Sequence, residues 1–299
     1  MNYHLPVMAI ECIKALAIKK DGCYIDATFG GGGHSRLILK ELGKDGRLLA
    51  FDQDDDSLEN LIDDERFIFN HHNFRFLKRF LRLHGIEKVD GILADLGVSS
   101  HQLDVAERGF SFRFDADLDM RMNQQDGKTA ADVLNGYSVA ELQDVLGKYG
   151  EVRNARTLAQ KIVEARVVKP LKTIADFLQV MGPLVRGQRN KYMAQVFQAL
   201  RIEVNDEMGA LKEFLKMASE VLKPDGRLVV MSYHSLEDRL VKNLLKSGNV
   251  EGKVIKDFYG KIDRPFSSLY KGVKTASEEE MAKNPRSRSA KLRVGIKKF

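Results

Sequence analysis

Short apolar runs along the chain end on acidic residues. Cys23-Tyr24-Ile25 ends on Asp26, Leu48 to Phe51 on Asp52, and Val89 to Ala94 on Asp95. Phe67-Ile68-Phe69 runs into His71-His72-Asn73-Phe74. Between these runs the apolar residues return at helical spacing: Leu37, Ile38 and Leu42, then a segment near Ser57–Leu61, then Phe76, Leu77, Phe80, Leu81 and Leu83. Asp21-Gly22 and Asp45-Gly46 are turns ahead of the first two runs. Strand and helix thus alternate four times, which predicts an α/β fold with a parallel, doubly wound sheet.

After Asp95 the alternation stops. Leu96 to Gln102 has loop chemistry, and Glu107 to Met122 is dense in carboxylates, arginines and phenylalanines without helical periodicity. From Thr129 to about Val204 the pattern is helical throughout, with a capping box at Ser138-Val139-Ala140-Glu141. Ala155, Leu158, Ala159, Ile162 and Val163 line one helix, Thr173 to Leu178 open another, and Met193, Val196, Phe197 and Leu200 line a third. Roughly a hundred residues without a strand exceed an ordinary crossover. The expected division is residues 1–105 as the first part of the sheet domain, 106–204 as an inserted all-helical domain for substrate recognition, and 205–299 as the second part with a basic tail.

A long helix through Met208, Leu211, Leu215 and Val221 leads back to the sheet. Lys223-Pro224-Asp225-Gly226 reads as a turn and Arg227 to Met231 as the fifth strand. Lys253–Phe258 and Lys291–Lys297 are candidates for an antiparallel edge pair, with a polar, exposed Ser277–Lys283 between them. At the other end, Val7, Ile10, Ile13 and Ala17 form a helix face. The arm His4-Leu5-Pro6-Val7 before it either lies over a ligand or frays.

The stretch with most chemical content is Gly22 to Ser35, a strand, an acid, four glycines (Gly30 to Gly33) and a helix start. Glycines there let backbone approach a ligand, and the helix start offers open N–H groups. A dinucleotide fingerprint needs a third glycine or alanine, but Ser35 or Arg36 stands there, and no Walker-type G-x-x-x-x-G-K-[ST] is present. Asp52, at the end of the second strand, suits ribose hydroxyls. An adenosine ligand without a diphosphate follows, and S-adenosylmethionine is the natural candidate. A purely structural turn between strand and helix is the plain alternative.

Composition narrows the surroundings. The 299 residues carry 48 Lys and Arg against 42 Asp and Glu, a formal charge of +6, which favours a polyanionic partner. Residues 285–299 hold Arg286, Arg288, Lys291, Arg293, Lys297 and Lys298 and no acid. Cys12 and Cys23 are the only cysteines, so a disulfide framework is not expected and a reduced, cytoplasmic setting fits. The seven histidines lack ligand spacing, and no metal is expected. No signal peptide or long apolar run is seen, so no membrane association is expected.

Methyl transfer from a sulfonium is an in-line displacement in which the protein positions the acceptor. If that acceptor is a nucleobase, carbon methylation of a pyrimidine needs a cysteine at a strand end, and neither cysteine is so placed. An exocyclic amine needs only acceptors for its N–H groups. Asp95, Ser99 and Ser100 can serve, or the serines can cap the next helix. Phe110, Phe112 and Phe114 alternate with Ser111 and Arg113. Such rings can stack on a splayed base or plug a core, and Arg108 and Arg121 can meet RNA or pair internally with Glu107, Asp117 or Asp119. His234 and Ser235 follow the fifth strand.

Across nearly the whole chain the motifs Asp95-Leu-Gly-Val-Ser-Ser100, Glu107-Arg-Gly-Phe-Ser-Phe112, Leu118-Asp-Met-Arg-Met122, Ser232-Tyr-His-Ser-Leu-Glu-Asp238 and Asn284-Pro-Arg-Ser-Arg-Ser-Ala-Lys-Leu-Arg293 stand in one order that resembles the MraW/RsmH family of bacterial 16S ribosomal RNA cytosine-N(4) methyltransferases. The resemblance implies a Rossmann-like, seven-stranded methyltransferase sheet with a helical insert. It implies transfer of a methyl group from S-adenosylmethionine to the exocyclic amine of a decoding-centre cytidine, with 16S rRNA in the small subunit as partner and no obligate protein partner. It places Gly32, Gly33 and His34 on the cofactor, Asp52 on the ribose, Phe74 and Asp95 beside the adenine, and Gln102 in the same pocket. Catalysis falls to Asp95, Ser99, Ser100 and His234, and RNA contact to Arg108, Phe110, Phe112, Arg113, Arg286 and Arg288. Gly31 stands where the family often has a larger residue such as Arg, and His101 where Pro is common. The [DN]-P-P-[YF] motif of many amine methyltransferases is absent, which counts against a DNA substrate. An RNA-assembly factor with incidental methylation is the reading from another class. A nicotinamide oxidoreductase lacks its third glycine.

Overall fold

The computed structural model describes residues 6–256, 258–260 and 262–299. In chain order the elements are α1 (Ala9–Leu16), β1 (Cys23–Asp26), α2 (Gly33–Glu41), β2 (Arg47–Asp52), β3 (Phe67–His71), α3 (Leu77–Leu83), β4 (Val89–Asp95) and α4 (Ser100–Asp104). Then come α5 (Ala130–Gly136), α6 (Val139–Gly150), α7 (Ala155–Val168), α8 (Ile174–Met181), α9 (Arg189–Val204) and α10 (Glu207–Val221). The chain closes with β5 (Leu222–Ser232), α11 (Ser235–Ser247), β6 (Phe266–Ser268), β7 (Lys274–Thr275), α12 (Glu278–Lys283) and β8 (Lys291–Lys297). The segment expected as a helix near Ser57–Leu61 is a 3-10 turn, Asp55–Asn60, opened by Asp54, whose side chain accepts from Asp56 N–H. Residues His4 and Leu5 of the N-terminal arm lie outside the described residues.

Two compact units divide the chain, one made of residues 1–97 and 208–299, the other of 98–207. In the first, the sheet order is β3-β2-β1-β4-β5-β8-β6, with β7 also on β8. β3, β2, β1, β4 and β5 are parallel, and β8 runs antiparallel to β5. β6 pairs with Gly295–Lys297 and β7 with Lys291–Leu292, so the two short strands share one edge of β8. The seven expected positions across the sheet are thus filled by eight strands. The expected partnership of Lys253–Phe258 with the last strand is not formed. Lys256 makes an isolated bridge to Ile262 instead, Asp257 lies outside the described residues, and β6 takes the place beside β8.

β4 is buried at every position but its last, as a central parallel strand covered on both faces must be. On one face Met8, Cys12, Leu16, Tyr24, Ile38, Leu48, Leu93, Val229, Met231 and Leu292 form a continuous core. The expected turn at Lys223–Gly226 is a bulge inside β5: Val89 pairs with Leu222, the register then jumps, and Gly91 pairs with Arg227. Asp225 takes a positive φ of 63° there. The order steps from β1 outward in both directions, so the switch point and its crevice lie at the carboxyl ends of β1 and β4.

The second unit is helical around its own core, in which Leu134, Leu146, Leu158, Ile162, Phe177 and Leu200 are fully buried. Thr129, Ser138 and Thr173 each open a helix with a reciprocal capping box to Asp132, Glu141 and Asp176. These caps satisfy N–H groups that a helix start otherwise leaves open, and they fix where each helix begins.

Candidate active site

The acids that end the apolar runs come together because parallel strands present their carboxyl ends on one edge. Asp52, Asp26 and Asp95 end three neighbouring strands, β2, β1 and β4. Each has a separate task. Asp52 Oδ2 accepts from Gly30 N–H at 2.7 Å and Oδ1 from Asp54 N–H at 3.0 Å, so it holds the glycine turn. Asp26 accepts from Ser35 Oγ at 2.7 Å and from Thr28 N–H at 3.2 Å, which ties the strand end to α2. Asp95 takes the Tyr233 hydroxyl at 2.7 Å on Oδ1, and its own N–H donates to Thr28 Oγ1 at 2.7 Å.

Crowding three carboxyls away from water raises their proton affinity. Burial pushes Asp95 up to about 7, with Asp26 and Glu237 adding to the rise and the Tyr233 hydrogen bond opposing it. Burial likewise takes Asp26 to about 6, against the hydrogen bonds from Ser35 and Thr28. Asp52 is also raised, again chiefly by burial. His34 is driven the other way by burial, down to about 4, so the imidazole is neutral near pH 7. Its Nε2 lies 3.2 Å from Val7 O, which can only accept, so Nε2 carries the proton and bare Nδ1 faces Asp95 Oδ2 at 3.9 Å.

The glycine turn has the shape of a cradle. A Cβ at Gly30 or Gly31 would meet no atom within 4 Å, so the turn borders open space. Gly32, at φ 72°, is different: a Cβ there would strike Arg36 Nη1 at 2.5 Å and the Phe29 ring at 2.9 Å. The Arg36 guanidinium also bonds Gly31 O at 2.7 Å and Asn60 O at 3.0 Å, which pins the turn from outside. α2 starts at Gly33 without a side-chain cap and without an acid in its first turn. Its open N–H groups suit a carboxylate. Phe74, half-buried after β3, packs edge-on to Phe214 at 5.1 Å and offers a ring for a flat heterocycle. Asn73 Nδ2 donates to Gln53 Oε1 at 2.9 Å, joining the segments after β3 and β2.

The sheet unit therefore gathers Gly32, Gly33, His34, Asp52, Phe74 and Asp95 at one edge. His234 follows β5 at that edge. Its Nε2 lies 3.2 Å from Glu237 Oε1, off hydrogen-bond geometry, and Glu237 accepts from Tyr233 and His234 N–H at 2.9 and 3.3 Å. Lys291 pairs with Ser232, so β8 enters the sheet at the same edge. The turn Pro285–Ser289 just before it carries Arg286, half-buried, and Arg288, exposed.

The remaining expected site residues belong to the helical unit. Ser99 Oγ accepts from Gln102 N–H at 3.1 Å, and Gln102 Oε1 from Ser99 N–H at 2.9 Å; the pair is a capping box on α4. Ser100 is the first residue of that helix. Arg108 is corrected: at 3% exposure it donates to Arg121 O at 2.9 Å and Met122 O at 3.3 Å, an internal strut rather than an RNA contact. Phe110 is likewise in the helical core, and Phe112 packs edge-on to Phe197 at 5.5 Å, so neither ring is free to stack on a base. The exposed ring of that motif is Phe114, at 41%, with the Arg113 guanidinium 5.7 Å from its centroid. Arg113 also pairs with Asp104 at 3.4 Å. Tyr233 is the site residue that the sequence reading missed. Its position one residue after β5 was visible, but a tyrosine there reads as core.

These features define a class: a doubly wound α/β protein that holds an adenosine-type cofactor at the carboxyl ends of its strands. A model of the MraW methylase family matches residues 1–298. "Ribosomal RNA small subunit methyltransferase H" of Bacteroides fragilis is 57% identical over 298 residues, covering 99% of this chain and 98% of the relative. The proteins of the same name from Bacteroides thetaiotaomicron and Flavobacterium johnsoniae are 55% and 54% identical, over 100% and 99% of this chain and 98% of each relative. The chain belongs to the MraW methylase family. It is a methyltransferase, and its cofactor is S-adenosylmethionine.

Proposed function

We propose that this protein methylates 16S ribosomal RNA of the small subunit, at the exocyclic N(4) amine of a decoding-centre cytidine, in the cytoplasm. The observation that carries the reading is the full-length likeness to relatives named as small-subunit rRNA methyltransferases. Thiol chemistry supports the amine over ring carbon. Cys12 is fully buried, with its thiol raised well above the ordinary range by burial. Cys23 starts β1, at the far end of that strand from Asp26, and burial and Asp90 push its thiol up to about 11. Neither is a ready thiolate for attack on a pyrimidine ring.

When bound, S-adenosylmethionine supplies a sulfonium-activated methyl group. The chain's part is to position and to accept a proton. The open N–H groups at the start of α2 would hold the carboxylate of the amino-acid moiety, Asp52 the ribose hydroxyls and Phe74 the adenine. Asp95, with a proton affinity near neutral, would accept an N–H of the amine and take its proton as the methyl group passes from sulfonium sulfur to nitrogen and the thioether leaves. Tyr233 fixes which carboxylate oxygen remains to do so.

The test is mass spectrometry of 16S rRNA from cells with and without this protein. One base methylation on a decoding-centre cytidine should vanish, return with the wild-type chain, and fail to return with Asp95→Ala. An unchanged rRNA spectrum would remove the substrate and leave only the cofactor site.

A further inference from the structure

Four helices of the helical unit, α4, α5, α6 and α8, open with reciprocal capping boxes. The two longest, α7 and α9, do not. Neither N-cap residue, Asn154 or Gln188, bonds a first-turn N–H, and neither first turn contains an acid. The two open ends are joined. Asn154 Nδ2 donates to Leu184 O at 2.9 Å, in the segment that leads into α9. Tyr192, in the first turn of α9, is only 3% exposed, and its side chain adjoins that of Asn154. Even so, neither the Tyr192 hydroxyl nor Asn154 Oδ1 makes a hydrogen bond of acceptable geometry among the described residues. Burial raises the Tyr192 phenol, with Asn154 and the Arg186 guanidinium acting against it, so the hydroxyl stays a protonated donor near pH 7.

Charge gathers at the same junction. Residues 152–160 and 182–192 hold Arg153, Arg156, Arg186, Arg189 and Lys191 and no acid. All five cations are exposed, and none makes a side-chain ion pair among the described residues. The nearest acid in sequence is Glu151, at the end of α6. A buried hydroxyl off hydrogen-bond geometry with its neighbour Asn154, two uncapped helix starts and five exposed, unpaired cations leave donors in excess of acceptors. A phosphate meets all of these needs at once.

We propose that the junction of α7 and α9 is a phosphate site that seats a backbone phosphodiester of the RNA substrate, with the Tyr192 hydroxyl and the open N–H groups as donors. The inference rests on the rRNA reading above and adds a place where the strand is gripped. Every residue of the site lies in the helical unit.

The test is binding of a short single-stranded RNA by the full-length protein over a range of salt. The double variant Arg156→Gln, Arg189→Gln should flatten the plot of log affinity against log salt by about 0.7, the worth of the one phosphate the site neutralises. Tyr192→Phe keeps the ring in place and should weaken binding roughly three- to tenfold without changing that slope. It also covers the case in which the charge variant is destabilised. Wild-type binding that both variants leave unchanged sinks the site alone. A wild-type protein with no salt-dependent RNA binding sinks the rRNA reading and the site with it. Inorganic phosphate, titrated by itself and followed by thermal shift, separates the sources. Saturable stabilisation lost in Tyr192→Phe, with RNA binding unaffected, would assign the site to free phosphate and overturn the proposal.

Discussion

Asp95 shows how one carboxyl acquires a role from its neighbours. It lies beside Asp26, under the Tyr233 hydroxyl and 3.9 Å from a neutral His34. The Tyr233 hydrogen bond favours the ionised form, so removing it raises the proton affinity of Asp95 further. Tyr233→Phe should therefore move the acid limb of the kcat–pH profile upward, by up to about one unit, while cofactor affinity stays within about twofold. An unmoved limb would mean that Asp95 does not carry the titration. Stability gives an independent reading. The folded value near 7 lies above the ordinary carboxyl value, so the contribution of Asp95 is fully present below about pH 4 and is lost as pH rises through 7. Asp95→Asn is neutral at every pH. Without cofactor, its Tm should match wild type at about pH 3, pull ahead as pH rises from about 4 to 7, and exceed it by roughly 3 °C or more near pH 9. A gap that does not depend on pH would refute the assignment.

At the scale of elements, the sequence spoke clearly where burial alone decides the structure. β1, β2 and β4 stand where apolar runs placed them, because a strand covered on both faces has a near-continuous apolar centre, and β8 stands where Lys291–Lys297 was expected as an edge strand. The capping box at Ser138 and Glu141 was equally legible, since both partners lie within one turn. Short edge strands were not. β6 and β7 are three and two residues long and owe their conformation to hydrogen bonds with β8, a long-range cause that leaves no local period. The phenylalanine motif was misread for a related reason: alternation put Phe110, Phe112 and Phe114 on one face, but the segment is a loop whose first two rings turn inward to the helical core. Two substitutions separate local from tertiary support. Phe177→Ala, in the centre of that core, should cost about 3–5 kcal/mol in denaturant unfolding. Ser138→Ala should cost only about 1 kcal/mol, the worth of one exposed cap. Equal costs would mean that the helices stand on their caps and not on their packing.

For the whole molecule, an excess of six positive charges matters less than where they stand. Some acids of the sheet unit are held inside the site, and others in paired contacts such as Asp238 with Arg293, at 2.6 Å, and Asp90 with Lys223, at 2.7 Å. Arg288 is exposed in the turn Pro285–Ser289, and β8 carries that turn to the edge where the strands end in acids. A polyanion approaching the site meets this cationic turn at the same edge as three carboxyls whose proton affinity burial raises. Cations of this kind speed encounter and hold phosphate; they do not take part in methyl transfer. Arg288→Gln should therefore lower kcat/KM for rRNA roughly three- to tenfold at low salt, with kcat held within about twofold, and the loss should fade as salt screens the field. A fall in kcat that persists at high salt would place Arg288 in the chemistry itself, and the division of labour between a charged rim and an acid-lined crevice would have to be given up.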